Sequence, residues 1–288
     1  MLHSSSPMPP KENWLSSSPH DSLRSVELVR VTVAVVLLTH PLHALLHTDD
    51  VAALAQKLGE QGMPWSTGAA WLGLGVQLVA ALGLFVRRFA APAALASMAV
   101  VLVGSAILYA PRWFVLGGEA EDGQPGVEFS VLLLVALAAV AWTWRGRDRH
   151  RAAEVGLQVI AIGSALMLLP HALIAFVKLD FEGMRQWGEG MTKLGFPHGV
   201  ALVWGLKSLE LVSCIARLSR RLVVPACLGH LVILLPGMVI SQHMDWFDVG
   251  PGEGGIEYPL ILSACTIATL LAYWPRGTVA AEVRPVAE

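Results

Sequence analysis

The stretch WGLKSLELVSCIA, residues 204–216, carries two charged side chains in a run that is apolar enough to cross a membrane. Lys207 and Glu210 are three residues apart and therefore share one face of a helix. A charge in the middle of a bilayer costs from about 2.5 kcal/mol upward, so such residues usually face a partner or a water-filled cavity. One interpretation is a self-neutralising pair that holds helices together. The other is that the pair belongs to a larger site that handles protons or binds a ligand.

Depth along neighbouring helices connects this pair to two histidines. If the helix runs inward from about residue 199, Lys207 lies about 12 Å from the outer edge at 1.5 Å per residue. The preceding helix ends near Lys178 and places His171 about 10 Å deep on the same scale. On the following helix, His230 reaches the depth of Glu210 from the inner edge. The matched depths predict a polar column of candidate catalytic residues on three helices: His171, Lys207, Glu210 and His230.

Both histidines also have a simpler interpretation. A single histidine on an apolar helix, such as His230, is more often hydrogen-bonded to a neighbour than bound to a ligand. His171 follows Pro170 and could donate to a carbonyl group that the proline leaves free. The column is therefore a hypothesis that depends on the contacts of these side chains.

The outer loops contain residues that suit a planar ring. The segments QHMDWFD (242–248) and PRWF (111–114) occupy equivalent places, and Trp at a membrane interface usually anchors a helix. The alternative is a rim for the head group of a quinone, with His243, Asp245 and Glu257 as ligand-binding proton acceptors. Lys178 would be a further ligand-binding residue. A Ser-His-Asp order, a phosphate loop and a dinucleotide fingerprint are all missing from the sequence, so catalysis of the soluble type is not expected.

Metal and haem are the other cofactor options that the histidines raise. His40, His43 and His47 line one helix face at a spacing that can bind a metal, but no cysteine or third helix completes the set, so we predict no metal site. Two histidines across a helical bundle can ligate haem. His171 and His230 lie at different depths, however, and His171 and His243 are closer. The cofactor stays open, with quinone ahead of haem.

The elements that must position these residues are membrane helices. The 288 residues are 55% hydrophobic and 15% charged, with a mean hydropathy of +0.58, whereas a soluble chain carries about 25% charged residues. A helix needs roughly 20 largely apolar residues to cross a bilayer. The sequence therefore predicts an all-α, polytopic membrane protein in contact with the lipid bilayer. The eight predicted transmembrane stretches are 28–46, 67–86, 90–110, 127–144, 154–177, 199–217, 222–241 and 257–274.

Charge and cysteine usage exclude other classes of function. The net charge is −2 and no basic patch alternates with aromatic residues, so no nucleic-acid partner is predicted. Cys214, Cys227 and Cys265 never form a CxxC motif and fit small apolar fillers better than a redox pair. Residues 1–25 are rich in Ser and Pro and lack an apolar run, so they are predicted to be a flexible cytoplasmic tail rather than a secretory signal.

The distribution of arginine predicts the orientation. With eight crossings, most of the 20 Lys and Arg residues fall on one side of the membrane, including Arg87 and Arg88 and the segment RGRDRHR (145–151). Arg217, Arg220 and Arg221 fall on the same side, in the predicted loop after the sixth crossing. Basic residues concentrate in the cytoplasm, so both termini are predicted to be cytoplasmic.

The chain also contains a tandem repeat. An offset of 133 residues takes Gly62 to Gly195, Pro64 to Pro197 and Gln77 to Glu210, and it takes Arg87-Arg88 to Arg220-Arg221. Small shifts bring His40 onto His171 and His47 onto Lys178. We predict two parallel four-helix units, the first unit at 26–146 and the second unit at 153–277, with a basic linker at 147–152 and a C-terminal tail at 278–288.

The second unit resembles the DoxX family of four-helix membrane proteins. The order of motifs carries this resemblance: His171 and Lys178, the G-x-P loop at 195–197, Glu210, a basic turn, and Glu257-Tyr258 at the fourth helix. The first unit departs from the pattern, because Gln77 replaces the Glu and His47 replaces the Lys. If the polar set does chemistry, the second unit is expected to carry it.

The resemblance implies a function in redox metabolism. DoxX-like proteins are membrane subunits of redox enzymes, including quinone-linked thiosulfate oxidation in archaea and a membrane oxidoreductase complex in mycobacteria. It therefore implies a bacterial or archaeal cytoplasmic membrane protein, a quinone and a soluble oxidoreductase partner. Two alternatives from other classes are a small-solute carrier or channel and a structural anchor for a soluble enzyme.

Overall fold

A computed structural model describes residues 21–108, 128–177, 181–240 and 255–275. Within these ranges the chain is helical, with ten α-helices joined by short turns or by segments outside the description. The helices are α1 (Ser22–Leu46), α2 (Thr48–Glu60), α3 (Ser66–Phe85), α4 (Ala90–Leu108), α5 (Glu128–Arg145), α6 (Arg149–Val177), α7 (Phe181–Lys193), α8 (Gly199–Leu218), α9 (Val223–Ile240) and α10 (Glu257–Tyr273).

The long helices have the length and composition of membrane spans. Seven of them, α1, α3–α6, α8 and α9, are long and apolar enough to cross a bilayer, and α10 is apolar but has 17 residues. Large apolar side chains are exposed along α3, α8 and α9, for example Leu72, Val212 and Val232. Continuous apolar exposure of this kind is suited to lipid rather than water. The prediction of an all-helical, polytopic membrane protein is therefore confirmed.

Two amphipathic helices, α2 and α7, are present that the sequence analysis did not predict. Each has 13 residues, which is too short to cross a membrane, and each follows the first long helix of its unit. Helix α2 buries Val51, Ala55 and Leu58, and α7 buries Met184, Gly188 and Met191. Apolar residues at three- and four-residue spacing form one apolar stripe on a helix, which packs on the bundle and leaves the charged face outside.

The loops before α3 and α8 share one backbone geometry. Gly62 has a φ of 81° and Gly195 a φ of 95°, a left-handed conformation that favours glycine. Each glycine ends an amphipathic helix, and the next residue donates its N–H to a carbonyl five residues back, from Met63 to Leu58 at 3.0 Å and from Phe196 to Met191 at 3.1 Å. The G-x-P motif is therefore the stop signal of α2 and α7, repeated at the offset of 133 residues that takes Gly62 to Gly195.

Helix contacts place the two units side by side. In the first unit α1 packs on α3 and α5, and α4 packs on α3 and α5; in the second, α6 packs on α8 and α10, and α9 packs on α8 and α10. Between the units α1 packs on α10 and α6, and α5 packs on α6 and α10. The most deeply buried apolar residues lie on these four central helices, so the site helices α6 and α8 are held by the core on one side and covered by α7 on the other.

Basic residues from both units lie at one end of the bundle, which we call the basic end. Arg87 Nε lies 3.0 Å from Glu27 Oε1, so the turn between α3 and α4 is level with the start of α1. The guanidinium carbon of Arg30 lies 5.5 Å from the centre of the Trp144 ring, which brings the end of α5 to the same level. The start of α1 and the turn between α5 and α6 therefore share this end.

Two predicted boundaries differ from the structure. Helix α1 begins at Ser22, so residues 22–25 of the predicted tail are helical, and α6 begins at Arg149, inside the predicted linker 147–152. The Asp148 carboxylate accepts the backbone N–H groups of His150 and Arg151 at 3.1 and 3.2 Å, which caps the new helix. Polar residues can form these first turns because they lie beyond the apolar core, where an apolar run no longer marks the helix.

Candidate functional site

Helices α6 and α8 bring three ionisable side chains together near the end of the bundle opposite to the basic end. Lys207 Nζ donates to Glu210 Oε2 at 2.9 Å, and it lies 2.8 Å from His171 Nδ1. The same imidazole nitrogen lies 3.4 Å from Glu210 Oε1. We call His171, Lys207 and Glu210 the outer cluster. The structure brings together these three of the four residues predicted to be catalytic.

The position of one proton decides how the outer cluster is bonded. An unprotonated His171 Nδ1 accepts a hydrogen bond from the Lys207 ammonium group, whereas a protonated Nδ1 donates to the Glu210 carboxylate. A cation, an anion and a titratable ring thus share a single nitrogen atom. This arrangement can take up or release a proton with only a small movement of heavy atoms.

The cluster is buried except at the histidine. The Lys207 and Glu210 side chains are 8% and 7% exposed, whereas that of His171 is 48% exposed. Two opposite charges within hydrogen-bonding distance satisfy each other in a place where neither would be stable alone. Access to the cluster is therefore through the imidazole of His171.

Aromatic residues surround the outer cluster, and some of them lie on α7. The Lys207 ammonium group lies 5.5 Å from the centre of the Trp187 ring, within reach of a cation–π contact. Trp204 packs on Phe176 and on Phe181, with ring centres 5.5 and 5.7 Å apart. Sequence reasoning missed Trp187 because α7 was not predicted. The signal was present in FEGMRQWGEGMTK, where Met184 and Met191 mark the apolar face.

Helix α7 carries its charges on the face away from the site. Arg185 donates to Glu182 at 2.6 Å and contacts Glu189 as well. The Arg185 guanidinium group holds the pKa of Glu182 at about 2. The outer face of α7 therefore stays charged across the ordinary pH range, while its other face covers the cluster.

A second set of polar side chains lies deeper, towards the basic end. Arg217 Nη1 lies 3.2 Å from His230 Nδ1, and Arg217 Nη2 donates to the Ser164 hydroxyl group at 2.6 Å and to the Ala161 carbonyl oxygen at 3.3 Å. Cys214 Sγ lies 3.6 Å from His230 Nε2. We call Ser164, Arg217 and His230 the inner cluster. Arg217 was predicted in a cytoplasmic loop; instead it lies within α8 and is only 3% exposed.

The two clusters meet only through the backbone. His230 Nε2 lies 3.3 Å from the carbonyl oxygen of Glu210 and is within hydrogen-bonding distance of it, while no contact joins His230 to the Glu210 carboxylate among those of the described residues. Because Nδ1 accepts from Arg217, Nε2 carries the proton and donates to this carbonyl. A carbonyl oxygen accepts a hydrogen bond but has no proton to pass on. The predicted column of His171, Lys207, Glu210 and His230 is therefore interrupted between Glu210 and His230.

Glu257 is bonded across the two units instead of to the outer cluster. It is the first residue of α10, is fully buried, and lies 3.0 Å from His40 Nε2 and 3.5 Å from the Thr39 hydroxyl group, both on α1. Its described partners therefore give it a role in joining α10 to α1. The other predicted ligand-binding residues, Lys178, His243 and Asp245, lie outside the described residues.

The histidines of α1 have separate partners. His43 Nε2 lies 3.0 Å from Asp50 Oδ2, and the ring of His47 stacks on that of His43 with centres 4.1 Å apart. His40 contacts Glu257 instead. Across the residues that the structure covers, no group of three His, Cys, Asp or Glu side chains could hold a metal ion.

The first unit has uncharged residues at the positions of both clusters. The offset of 133 residues takes Leu74 to Lys207, Gln77 to Glu210, Leu84 to Arg217 and Ser97 to His230. Gln77 donates to the Leu37 carbonyl oxygen at 3.2 Å, a contact that an amide can make without any charge. The buried charges are therefore particular to the second unit.

Comparison of the chain with protein-family models, with curated proteins and with solved structures finds no match. The DoxX resemblance stays a prediction from the motifs quoted above. The function is therefore argued from the geometry of the two clusters and from the helices that hold them.

Proposed function

We propose that this chain is a DoxX-like membrane subunit of a quinone-linked redox system, in which the outer cluster handles protons. The observation that supports this most is the buried Lys207–Glu210 pair bonded to a half-exposed His171. Buried ionisable groups inside a membrane protein are costly, and they usually mark an ion, proton or ligand path. The uncharged equivalents in the first unit indicate that the fold itself does not require such a pair.

The surroundings of the cluster suit a planar, amphipathic ligand. A bound quinone would supply two-electron, two-proton chemistry, so its site needs a proton donor and flat apolar walls. His171 would donate or accept the proton at its exposed edge, Glu210 would hold the imidazole and take up the charge, and Lys207 would keep Glu210 ionised. Trp187 and Phe181 lie next to this exposed edge and are themselves 38% and 62% exposed.

We further propose eight membrane crossings in two parallel four-helix bundles, with the basic end and both termini in the cytoplasm. Helix α10 supports the eighth crossing, because its 17 residues extend about 26 Å and run from Glu257, level with His40, to Tyr273 at the basic end. The excess of Arg at the basic end supports the orientation. The membrane would be the cytoplasmic membrane of a bacterium or archaeon.

Co-purification from native membranes in mild detergent tests the redox role. The expected result is a stoichiometric soluble oxidoreductase subunit, or quinone in the extracted small molecules, both identified by mass spectrometry. A clean protein without a partner and without quinone contradicts the proposal.

Glu210→Gln then tests the role of the cluster in the recovered complex. Removal of a positioned acid or base lowers turnover by about 100-fold or more, so quinone-dependent turnover is expected to fall by that amount while the complex still assembles. The matched control is Gln77→Ala, at the equivalent position of the first unit, which should leave turnover unchanged. Equal turnover of Glu210→Gln and the unaltered chain would remove the role of the cluster.

A structural anchor for a soluble enzyme is the second candidate. The observation that favours it is that Lys207 and Glu210 are buried and satisfy each other, as a pair that only holds helices together would. In that case Glu210→Gln lowers the amount of assembled complex and leaves the turnover of each assembled complex unchanged. The third alternative, a solute carrier, requires a polar cavity open to both sides. The cavity described below has room for about one water molecule.

A further inference from the structure

A small cavity opens near the basic end of the second unit, between α6, α8, α9 and α10. Its volume is about 10 Å³, close to the room that a single water-sized group needs. Two guanidinium groups, an amide and two hydroxyl-bearing side chains supply its polar lining, from Arg217, Arg220, Gln158, Thr269 and Tyr273.

Arg217 brings a buried charge to this cavity that its described contacts do not neutralise. The side chain is 3% exposed, and its contacts are to neutral groups: the His230 ring, the Ser164 hydroxyl group and the Ala161 carbonyl oxygen. The carboxylate in the same helix, Glu210, is already bonded to Lys207. A buried cation without an opposite charge is unstable, and the usual compensation is a bound anion or a carboxylate.

One donor of the same guanidinium group is left over. Nη1 and Nη2 of Arg217 have partners, whereas Nε is buried and has none within the described part of the chain. A buried N–H without an acceptor costs about 1–3 kcal/mol, so such groups usually face an unplaced ligand or water. The free donor and the cavity belong to the same residue.

We infer that this cavity binds an anionic phosphate group, with one oxygen accepting from Arg217 Nε and the others facing Arg220 at the basic end. The enclosed volume suits one oxygen atom, and Arg220 is exposed in the turn between α8 and α9, where the rest of the group would lie. Arginine matches phosphate because its planar group offers several donors in fixed geometry. The source is either the headgroup of an acidic lipid or free inorganic phosphate, and the site does not depend on the proposed redox role.

The first unit shows that the fold does not need this site. Leu84 takes the place of Arg217, and Arg87, the equivalent of Arg220, is bonded to Glu27 at 3.0 Å. Arg87→Gln is therefore the matched control for Arg220→Gln, because it removes an arginine from the same place in the other unit. Arg217→Gln removes the buried cation, and Arg220→Gln, in an exposed turn, keeps the experiment informative if that first variant fails to fold.

The test is the thermal unfolding of the full chain in two arms. One arm titrates inorganic phosphate into protein in a neutral detergent at constant ionic strength. The other compares nanodiscs of phosphatidylcholine with nanodiscs that also contain phosphatidylglycerol. A bound ligand raises the Tm in a concentration-dependent way. We expect such a rise in at least one arm, with a reduced rise in Arg220→Gln, no rise in Arg217→Gln and an unaltered rise in Arg87→Gln.

The two arms identify the source of the phosphate. A rise with phosphatidylglycerol alone assigns the site to a lipid headgroup, and a rise with inorganic phosphate assigns it to the free ion. No rise in either arm overturns the inference. A rise that Arg87→Gln reduces as much as Arg220→Gln also overturns it, because the effect would then come from general surface charge.

Discussion

At the scale of single residues, the chain contains its own comparison for the buried charges. Lys207 and Glu210 in the second unit are equivalent to Leu74 and Gln77 in the first, so one fold accommodates both an ion pair and a neutral pair. Breaking a buried pair by removing one partner is strongly destabilising, whereas replacing both by groups of similar size is often neutral. The two units therefore predict which substitutions the second unit tolerates.

Lys207→Leu alone is expected to lower the free energy of unfolding by about 3–5 kcal/mol, because it leaves Glu210 buried without its cation. Adding Glu210→Gln to it recreates the pair of the first unit and should recover most of that loss. The measurement is thermal or denaturant unfolding of both single variants and the double variant in the same detergent. A double variant as unstable as the sum of the single variants contradicts the prediction, since the two charges would then act independently.

Depth along a helix could be predicted from the sequence, but direction around it could not. Counting residues placed His171 level with Lys207, and their side chains lie 2.8 Å apart. The same count placed His230 level with Glu210, yet His230 reaches the backbone and not the carboxylate. Arg217 was assigned to a loop because it ends an apolar run, whereas its long side chain turns back into the bundle. Such choices depend on neighbouring helices, which one sequence does not specify.

At the scale of helices, apolar runs located α1, α3–α6 and α8–α10, and failed for α2 and α7. A search for runs of about 20 apolar residues cannot detect a 13-residue amphipathic helix. The signal in α7 is the three- and four-residue spacing of its buried residues, and the repeat offset would have carried it to α2. The omission affected the site, because Trp187 on α7 covers Lys207.

Gly188 sets the distance between α7 and α8. A methyl group at Gly188 would lie 2.6 Å from the backbone nitrogen of Val200, whereas one at Gly190 in the same helix would meet nothing within 4 Å. Overpacking costs about 1–3 kcal/mol, so Gly188→Ala is expected to lower stability by that amount and to move Trp187 away from Lys207. Unfolding temperature and tryptophan fluorescence measure the two effects.

Gly190→Ala is the matched control for the contact between α7 and α8. Alanine is favoured over glycine in a helix by up to about 1 kcal/mol, so this variant should be neutral or slightly more stable. If both alanine variants behave alike, the close approach of α7 to Val200 is not what holds the helix in place.

At the scale of the whole molecule, the positions of charges define two ends of the bundle, and thiol labelling can identify the side of each. Arg147 is exposed in the turn between α5 and α6, and Gln61 is exposed between α2 and α3 at the other end. The three natural cysteines are buried and should not react. We expect a membrane-impermeant thiol reagent to label Gln61→Cys in intact cells and Arg147→Cys only after the membrane is opened. The opposite pattern would reverse the proposed orientation, and labelling of both in intact cells would contradict the number of crossings.

The contact between Glu257 and His40 joins the first helix of the chain to the last described one. Glu257 is fully buried and lies 3.0 Å from His40 Nε2, so each group depends on the other unit for a partner. A double-mutant cycle of Glu257→Leu and His40→Leu should give a coupling free energy of about 0.5–3 kcal/mol, the range measured for side chains in contact. His43→Leu is the control, because His43 contacts Asp50 within its own unit and should show no coupling to Glu257→Leu. Equal coupling of both histidines to Glu257 would mean that α1 responds as a whole, whereas coupling of His40 alone identifies this contact as the link that holds the two units in register.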